Sequence, residues 1–478
     1  MMHDTTQFPV LWWIRRDLRL SDNPALTAAI ANGNPVLPVF VFDEFDETLG
    51  AAPALRLESG LEALANRLAQ MGQQLCLRRG RAQDVLQKLV QETGARAVHS
   101  SKSYLQEEIT RDQALARALG AAGCALHWHN TRLMFEPWTV ATKSGTPFKV
   151  YSPFWRAVRQ IPVPAPLAPP ARIPAPSVFP KSDTLQDWKL SARMRHSADI
   201  VRSGIVAGEE AALTRLEAFM AEPVAAYGAN RDFPALPATS NLSDYLALGE
   251  ISPCMIWAAG QRTMAEGRPG AEPFLKQIIW REFAWHLAYH YPHITRSNWR
   301  AGWERFPWSD EITPAVRAWQ QGQTGVDLVD AGMREMWVTG RMHNRVRMIV
   351  GSYLTKHLTT HWKIGMDWFA DCLIDWDPAN NAMGWQWIAG SGPDAAPYFR
   401  VFNPDRQREA FDPDQAYVRH WIAEGQSDPP KTATDYFVAQ RGAWGHSRHD
   451  LRPDPVISLQ EGRNRALAAY KSMQDAEV

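Results

Sequence analysis

The stretch LIDWDPANNAMGWQWIAGSG, residues 373–392, sets Asp375, Asp377, Asn380 and Asn381 close to Trp385 and Trp387. A core helix has no use for these polar side chains, because each one that is buried needs a hydrogen-bond partner. They suit hydrogen bonding to a polar ring or a ribose. A metal is a weaker fit, since Asp375 and Asp377 without a histidine make a poor ligand set. Just upstream, REMWVTGRMHNRVRMIVGSYLTKHLTTHWK (334–363) carries six Arg or Lys against the single Glu335. A solvated helix face is the plain reading of that charge, but Arg341, Arg345 and Met348 interleaved with aromatics suit phosphate and base contacts better. Tryptophan is the third feature: 13 of the 21 lie between Trp257 and Trp387. Core packing explains most single tryptophans. A file of indoles can also stack on flavins or nucleobases and relay electrons through an interior that has no other redox group.

The elements that must hold these residues are helical. Beyond about residue 200 apolar side chains recur at three and four spacing, as in EEAALTRLEAFM (209–220), FLKQIIWREFAWHLAYHY (274–291) and MIVGSYLTKHL (348–358). The first 130 residues differ. Short apolar runs at 10–14, 35–42, 74–77, 97–100 and 125–128 read as five strands, and helical patterns at 55–72, 82–94 and 107–123 separate them. That alternation predicts an α/β domain with a parallel, doubly wound sheet. Its first strand-to-helix turn, RRDLRLSDNPAL, lacks the glycine-rich phosphate fingerprint, which argues against a conventional NAD site. Residues 161–180 hold eight prolines in twenty positions and read as an extended connector. The expected division is an α/β domain over 1–130, a proline-rich linker over 131–200 and an all-α domain over 201–478.

Composition bounds the function. With 478 residues, 45% hydrophobic and 21% charged, the chain is globular and long enough for two or three domains. Cys76, Cys124, Cys254 and Cys372 are scattered without a C-x-x-C pair, which disfavours zinc and iron–sulfur sites and fits reduced thiols in a cytoplasmic protein. The apolar run before Arg15 and Arg16 is too short for a signal or a membrane span. Fifty-one basic and 51 acidic residues cancel, so the chain does not coat nucleic acid by bulk attraction. A local basic cleft is compatible with that balance.

Taken together, WIRRDLRLSDNPAL (13–26), YGANRDFPALPATSNLS (227–243), WREF (280–283), MHNRVRM (342–348) and DPANNAMGWQWIAGSGPDAAPYFRVFNP (377–404) resemble the DNA photolyase and cryptochrome family over nearly the whole chain. The likeness is greatest to the class I cyclobutane pyrimidine dimer photolyases. It implies an N-terminal antenna domain, a helical domain that binds FAD, and UV-damaged DNA as substrate for a monomeric enzyme. Tyr227, Thr239, Ser240, Asn241, Leu242, Ser243, Phe274 and Gln277 match the flavin-binding segments. Arg347 and Asp375 match an ion pair beside the flavin ring, Asp377 a ring-contacting acid, and Asn381 the residue facing flavin N5. Trp385, Trp362 and Trp308 match an electron chain from flavin to surface. Trp280 and Trp387 match the walls of the lesion pocket, and Arg231, Gln277, Asn344, Arg345 and Met348 its remaining lining. The implied reaction is light-driven electron transfer from FADH⁻ to the cyclobutane ring, and it calls for no metal.

Two positions depart from the class I pattern. Gln277 replaces a glutamate that contacts the lesion, and Arg341 replaces a tryptophan before M-H-N-R. An amide at 277 is more typical of (6-4) photolyases and many cryptochromes. Those (6-4) enzymes, however, carry histidines where this chain has Asn344 and Met348. Cyclobutane dimer repair is the expectation, with a cryptochrome-type photoreceptor and a (6-4) photolyase as the alternatives. For an antenna, Glu108 matches an acid that contacts methenyltetrahydrofolate in some relatives, while a Cys-Lys pair of those relatives is replaced near Thr295 and Arg296. A folate, 8-hydroxy-5-deazaflavin, a second flavin or no antenna all stay open.

Overall fold

The computed structural model describes residues 8–194, 196, 198–394 and 399–475. Residues 395–398, part of the run 377–404, lie outside the described residues. Five strands, β1 (Val10–Ile14), β2 (Val36–Phe42), β3 (Cys76–Arg79), β4 (Ala97–Ser101) and β5 (Ala125–His129), form one sheet in the order β3-β2-β1-β4-β5. All neighbours are parallel, because a helix intervenes at each step: Pro24–Ile30, Ala51–Gln70, Ala82–Thr93 and Gln106–Ala121. β1 and β2 are buried on both faces, as their unbroken apolar runs require. Trp12 and Ile14 enter one core layer, Leu11 and Trp13 the other. The α/β fold class follows the sequence pattern, with the third strand displaced by two residues. The first helix escaped the periodicity; Pro24 opens it and the Asn23 side chain caps it by accepting the Leu26 N–H.

Residues 161–180 form no helix or strand, yet they are stitched to the sheet domain. Asp22 donates its N–H to the Leu167 carbonyl and Val36 to that of Pro174, each at 2.8 Å. On either side, Tyr151 and Phe154 enter the core of the helical domain, while Leu185, Trp188 and Leu190 pack beneath the sheet.

In the helical domain, Ala271–His290 packs against Pro253–Ala265 and Pro378–Ala389, and the latter also meets Asn344–Ser352 and Trp362–Cys372. Gly260 permits the first of these approaches, since a Cβ there would stand 2.6 Å from Leu275. Periodicity predicts one helix through residue 358, but Asn344–Ser352 gives way to a π-helical turn, Tyr353–His357. The turn buries Lys356, whose Nζ donates to the Ala389 carbonyl and thereby ties the turn to the Pro378–Ala389 helix. No helix among the described residues is long and apolar enough to cross a membrane.

Candidate functional site

The polar residues of 375–381 are distributed by one helix start. Asp377 caps Pro378–Ala389: its Oδ1 accepts the Asn380 N–H at 2.9 Å while its Oδ2 accepts the indole N–H of Trp285 at 3.0 Å. Trp285, which the sequence did not single out, is buried and lies under the Arg132 guanidinium. One turn on, the Asn381 amide donates to the Met366 carbonyl at 3.1 Å. Asp375 is gripped by Arg347, whose Nη2 lies 3.1 and 2.9 Å from its two oxygens. Burial pushes the Asp375 carboxyl up, but the Arg347 charge and a hydrogen bond from Ser243 outweigh it and hold the group below the ordinary aspartate value. Asp375 is thus an anion committed to arginine, and Asp377 to a helix cap and an indole.

Ser243 brings the 239–243 segment to this ion pair. Asn241 stands in the left-handed region at φ 50°, and Leu242 follows at φ −96°, ψ 0°. Residues of opposite hand in succession turn their N–H groups to one side, the concavity that cradles an anion. The Thr239 hydroxyl donates to the Asn241 side chain at 3.3 Å, Ser240 is partly exposed and Ser243 is exposed. These hydroxyls, the backbone concavity and the polar cluster around Asp375 fit a diphosphate joined to a polar ring. Leu242, Tyr227 and Phe274 face the other way, into the core, where the Tyr227 and Phe274 rings meet edge to face at 5.6 Å. Arg341, at the departure from the tryptophan pattern, clamps Asp244 with both terminal nitrogens at 2.9 and 3.0 Å. The same carboxylate receives Arg56 Nε of the sheet domain at 3.0 Å, and Arg56 also grips Glu250.

Two of the three tryptophans are buried and the third reaches the surface. Trp385 is buried with its indole N–H unpartnered, edge to face with Phe369 at 4.9 Å and Trp319 at 6.2 Å. Trp362, fully buried, donates to Asn298 at 2.8 Å, and Trp308, partly exposed, donates to the Thr355 carbonyl at 3.0 Å. The His361 ring stands between the outer two, 5.4 Å from Trp362 and 5.2 Å from Trp308. At the inner step, Trp385 lies against the backbone of the Trp362 helix at Gly365, where a Cβ would overlap its ring. Gly365→Ala is therefore expected to displace Trp385 and to destabilise the protein by about 1–3 kcal/mol, as overpacking does; the midpoint of urea unfolding measures it.

Gln277, Trp280, Asn344, Arg345, Met348 and Trp387 come from three helices of this packed group and keep partial or full exposure. Gln277 donates to its own helix at the Pro273 carbonyl, 3.3 Å away. Trp280 is stacked by Tyr151 at 3.6 Å and 5°. Tyr151 was invisible in the sequence analysis, being 129 positions away in the chain; its hydroxyl is fixed by the Lys276 carbonyl at 2.8 Å. Trp387 donates to the Asp394 carbonyl at 3.2 Å. Arg231 lies over the Tyr227 ring and Arg345 over that of Phe411. At the antenna position, Glu108 pairs with Arg15 at 3.4 Å, and the neighbouring Glu107 pairs with Arg296.

Residues 10–175 match the family model described as DNA photolyase, and residues 274–472 match the FAD-binding domain of DNA photolyase. A protein of Agrobacterium fabrum named deoxyribodipyrimidine photo-lyase is 42% identical over 98% of both chains. Cryptochrome-1 of Arabidopsis thaliana is 31% identical over 98% of this chain and 70% of its own length. The crystal structure of a bacterial class III photolyase from Agrobacterium tumefaciens superposes with a TM-score of 0.90, at 41% identity, over 99% of each chain. Matched in sequence and in fold along nearly its entire length, the chain belongs to the DNA photolyase and cryptochrome family, as an FAD-binding enzyme of the photolyase kind.

Proposed function

We propose that this enzyme repairs cyclobutane pyrimidine dimers in DNA under light. The observation that carries the reading is the chemistry of the side chains at this face: two indoles, two amides, a thioether and two guanidinium groups, with no charged imidazole among them. The nearest histidine in sequence, His343, spends its Nδ1 on capping the next helix, where it accepts the Arg345 N–H at 3.2 Å. Burial lowers its pKa to about 4, so it is neutral at physiological pH. A (6-4) product, whose enzymes carry histidines at the positions of Asn344 and Met348, finds no imidazole at either position.

FAD, reduced and photoexcited, would supply the electron that opens the cyclobutane ring. The chain's own residues bind, position and exclude. The 239–243 segment is suited to the diphosphate, and Arg347 with Asp375 to the ring edge, where Asn381, anchored on Met366, would present its amide. Trp280 and Trp387 offer flat apolar surfaces to the dimer, and Gln277 and Asn344 offer amide donors to its carbonyls. A dimer is already badly stacked, so drawing it out of the duplex costs less than the few kcal/mol of a normal base, and selectivity follows from the difference. Trp385, Trp362 and Trp308 would return oxidised FAD to its working state under light.

The test is to illuminate the reduced enzyme with oligonucleotides carrying either a thymine dimer or a (6-4) product and to follow both by chromatography. Loss of the thymine dimer with the (6-4) product unchanged is the expected result; a persistent thymine dimer overturns the reading. Affinity for the lesion duplex is also expected to fall with salt, log K changing by about 0.9 per decade for each phosphate neutralised. A salt-independent affinity, measured by fluorescence anisotropy, would contradict a DNA face built on Arg231 and Arg345.

A further inference from the structure

Each arginine of RMHNRVRM pairs with a different carboxylate. Arg341 holds Asp244, Arg347 holds Asp375, and Arg345 holds Asp232, its Nη2 lying 2.6 Å from Oδ2. The first two carboxylates are enclosed, with side-chain exposures of 0% and 6%, and they serve the interior. Asp232 is different. Its side chain is 31% exposed, and its other oxygen lies 3.7 Å from Arg231 Nε, so it stands between the two guanidinium groups assigned above to DNA. Both guanidinium groups are braced on aromatic rings, Arg231 over Tyr227 at 5.6 Å and Arg345 over Phe411 at 4.4 Å. Arg345 Nε is buried without an acceptor, so its carboxylate partner does not satisfy the whole fork. The neighbouring His343 is neutral and adds no charge to the group.

We propose that Asp232 is an internal stand-in for a DNA phosphate, a resident anion that lowers the enzyme's affinity for intact duplex. The inference rests on the reading of this face as the DNA site. A carboxylate held by two guanidinium groups occupies the position a phosphate needs, and a phosphate that arrives meets a like charge that cannot leave the neighbourhood. Intact DNA binds through its backbone and gains nothing else at this face, so competition for these cations lowers its hold directly. A lesion duplex adds the contacts of the extruded dimer and tolerates the same competition. Since undamaged sites vastly outnumber lesions, weaker absolute binding to intact DNA keeps the enzyme free to search.

Asp232→Asn and Asp232→Ala, made alongside the charge-conserving Asp232→Glu, test this by anisotropy titrations of undamaged and thymine-dimer duplexes over a series of salt concentrations. The neutral variants are expected to bind undamaged duplex about fivefold more tightly, the scale of one exposed ion pair, and to show a salt slope steeper by about 0.9 for each cation set free. Asp232→Glu should stay near wild type, and the gain should vanish in Arg231→Ala/Arg345→Ala/Asp232→Asn. Flavin absorbance and urea midpoint report that each variant is folded. If both neutral variants bind undamaged DNA no more tightly while Arg345→Ala weakens lesion binding, the DNA face stands and the stand-in is refuted. If the gain persists without Arg231 and Arg345, Asp232 does not act through them and the proposal also fails. If Arg345→Ala leaves lesion binding unchanged, the DNA face itself is wrong and the proposal falls with it.

Discussion

Trp385→Phe, illuminated with oxidised FAD and an external reductant, is expected to reduce its flavin on the order of a hundredfold more slowly than wild type, as when the first carrier of a relay is replaced by a ring that does not readily give up an electron. The position leaves little room for a substitute. Trp385 is wedged between Phe369, Trp319 and the backbone at Gly365, and its buried N–H has no partner in the protein. Phenylalanine keeps an apolar ring there, so the variant should fold with a modest loss from the smaller side chain. Repair by enzyme reduced beforehand with dithionite should run near the wild-type rate, because the proposed relay would serve only to reduce oxidised FAD. Transient absorption under blue light separates the two activities. Unchanged photoreduction would remove Trp385 from the path.

Arg56→Ala is expected to destabilise the protein by about 3–5 kcal/mol, the cost of stripping one partner from a buried ion pair and leaving carboxylates uncompensated. Arg56, Asp244 and Glu250 all have fully buried side chains. Burial opposes the Arg56 charge, but Glu250 and then Asp244 outweigh it, so the guanidinium holds its proton more firmly than a free arginine does. Because Asp244 follows Ser243 and also anchors Arg341, the damage should reach the flavin segment, and the variant should retain less FAD on gel filtration. Arg79→Ala, which breaks an ion pair with Glu47 that is 40% exposed on both sides, should cost no more than about 1 kcal/mol in the same urea titration. Equal effects would contradict the buried network as the link between domains.

The sheet was legible because a parallel strand buried on both faces leaves an unbroken apolar run, as VLWWI and VLPVFVF do. The connector was legible because proline removes donors and fixes φ. The candidate site could be proposed from sequence as far as its residues cluster along the chain: 375–387 stands out by polarity among tryptophans. What stayed hidden was spatial pairing across long separations. Nothing in Tyr151 signals Trp280, and nothing in Arg341 signals that it would meet Asp244 rather than line a pocket. The π-helical turn at Tyr353–His357 was hidden for another reason, since one extra residue in a turn barely disturbs apolar periodicity.

The Tyr151 stack on Trp280 has a kinetic side. An indole pinned face to face by a phenol that is itself hydrogen-bonded surrenders its rotamer freedom when the chain folds. Ordering such a side chain at the moment of binding would cost about 0.5–1.5 kcal/mol. A nucleobase swinging out of the helix has a brief existence before it restacks, and with Trp280 as the proposed wall of the lesion site it would meet a surface already set. Capture would then need no rearrangement of this wall, and the residence time of the flipped base, rather than the motion of this side chain, would limit how often an encounter becomes a complex.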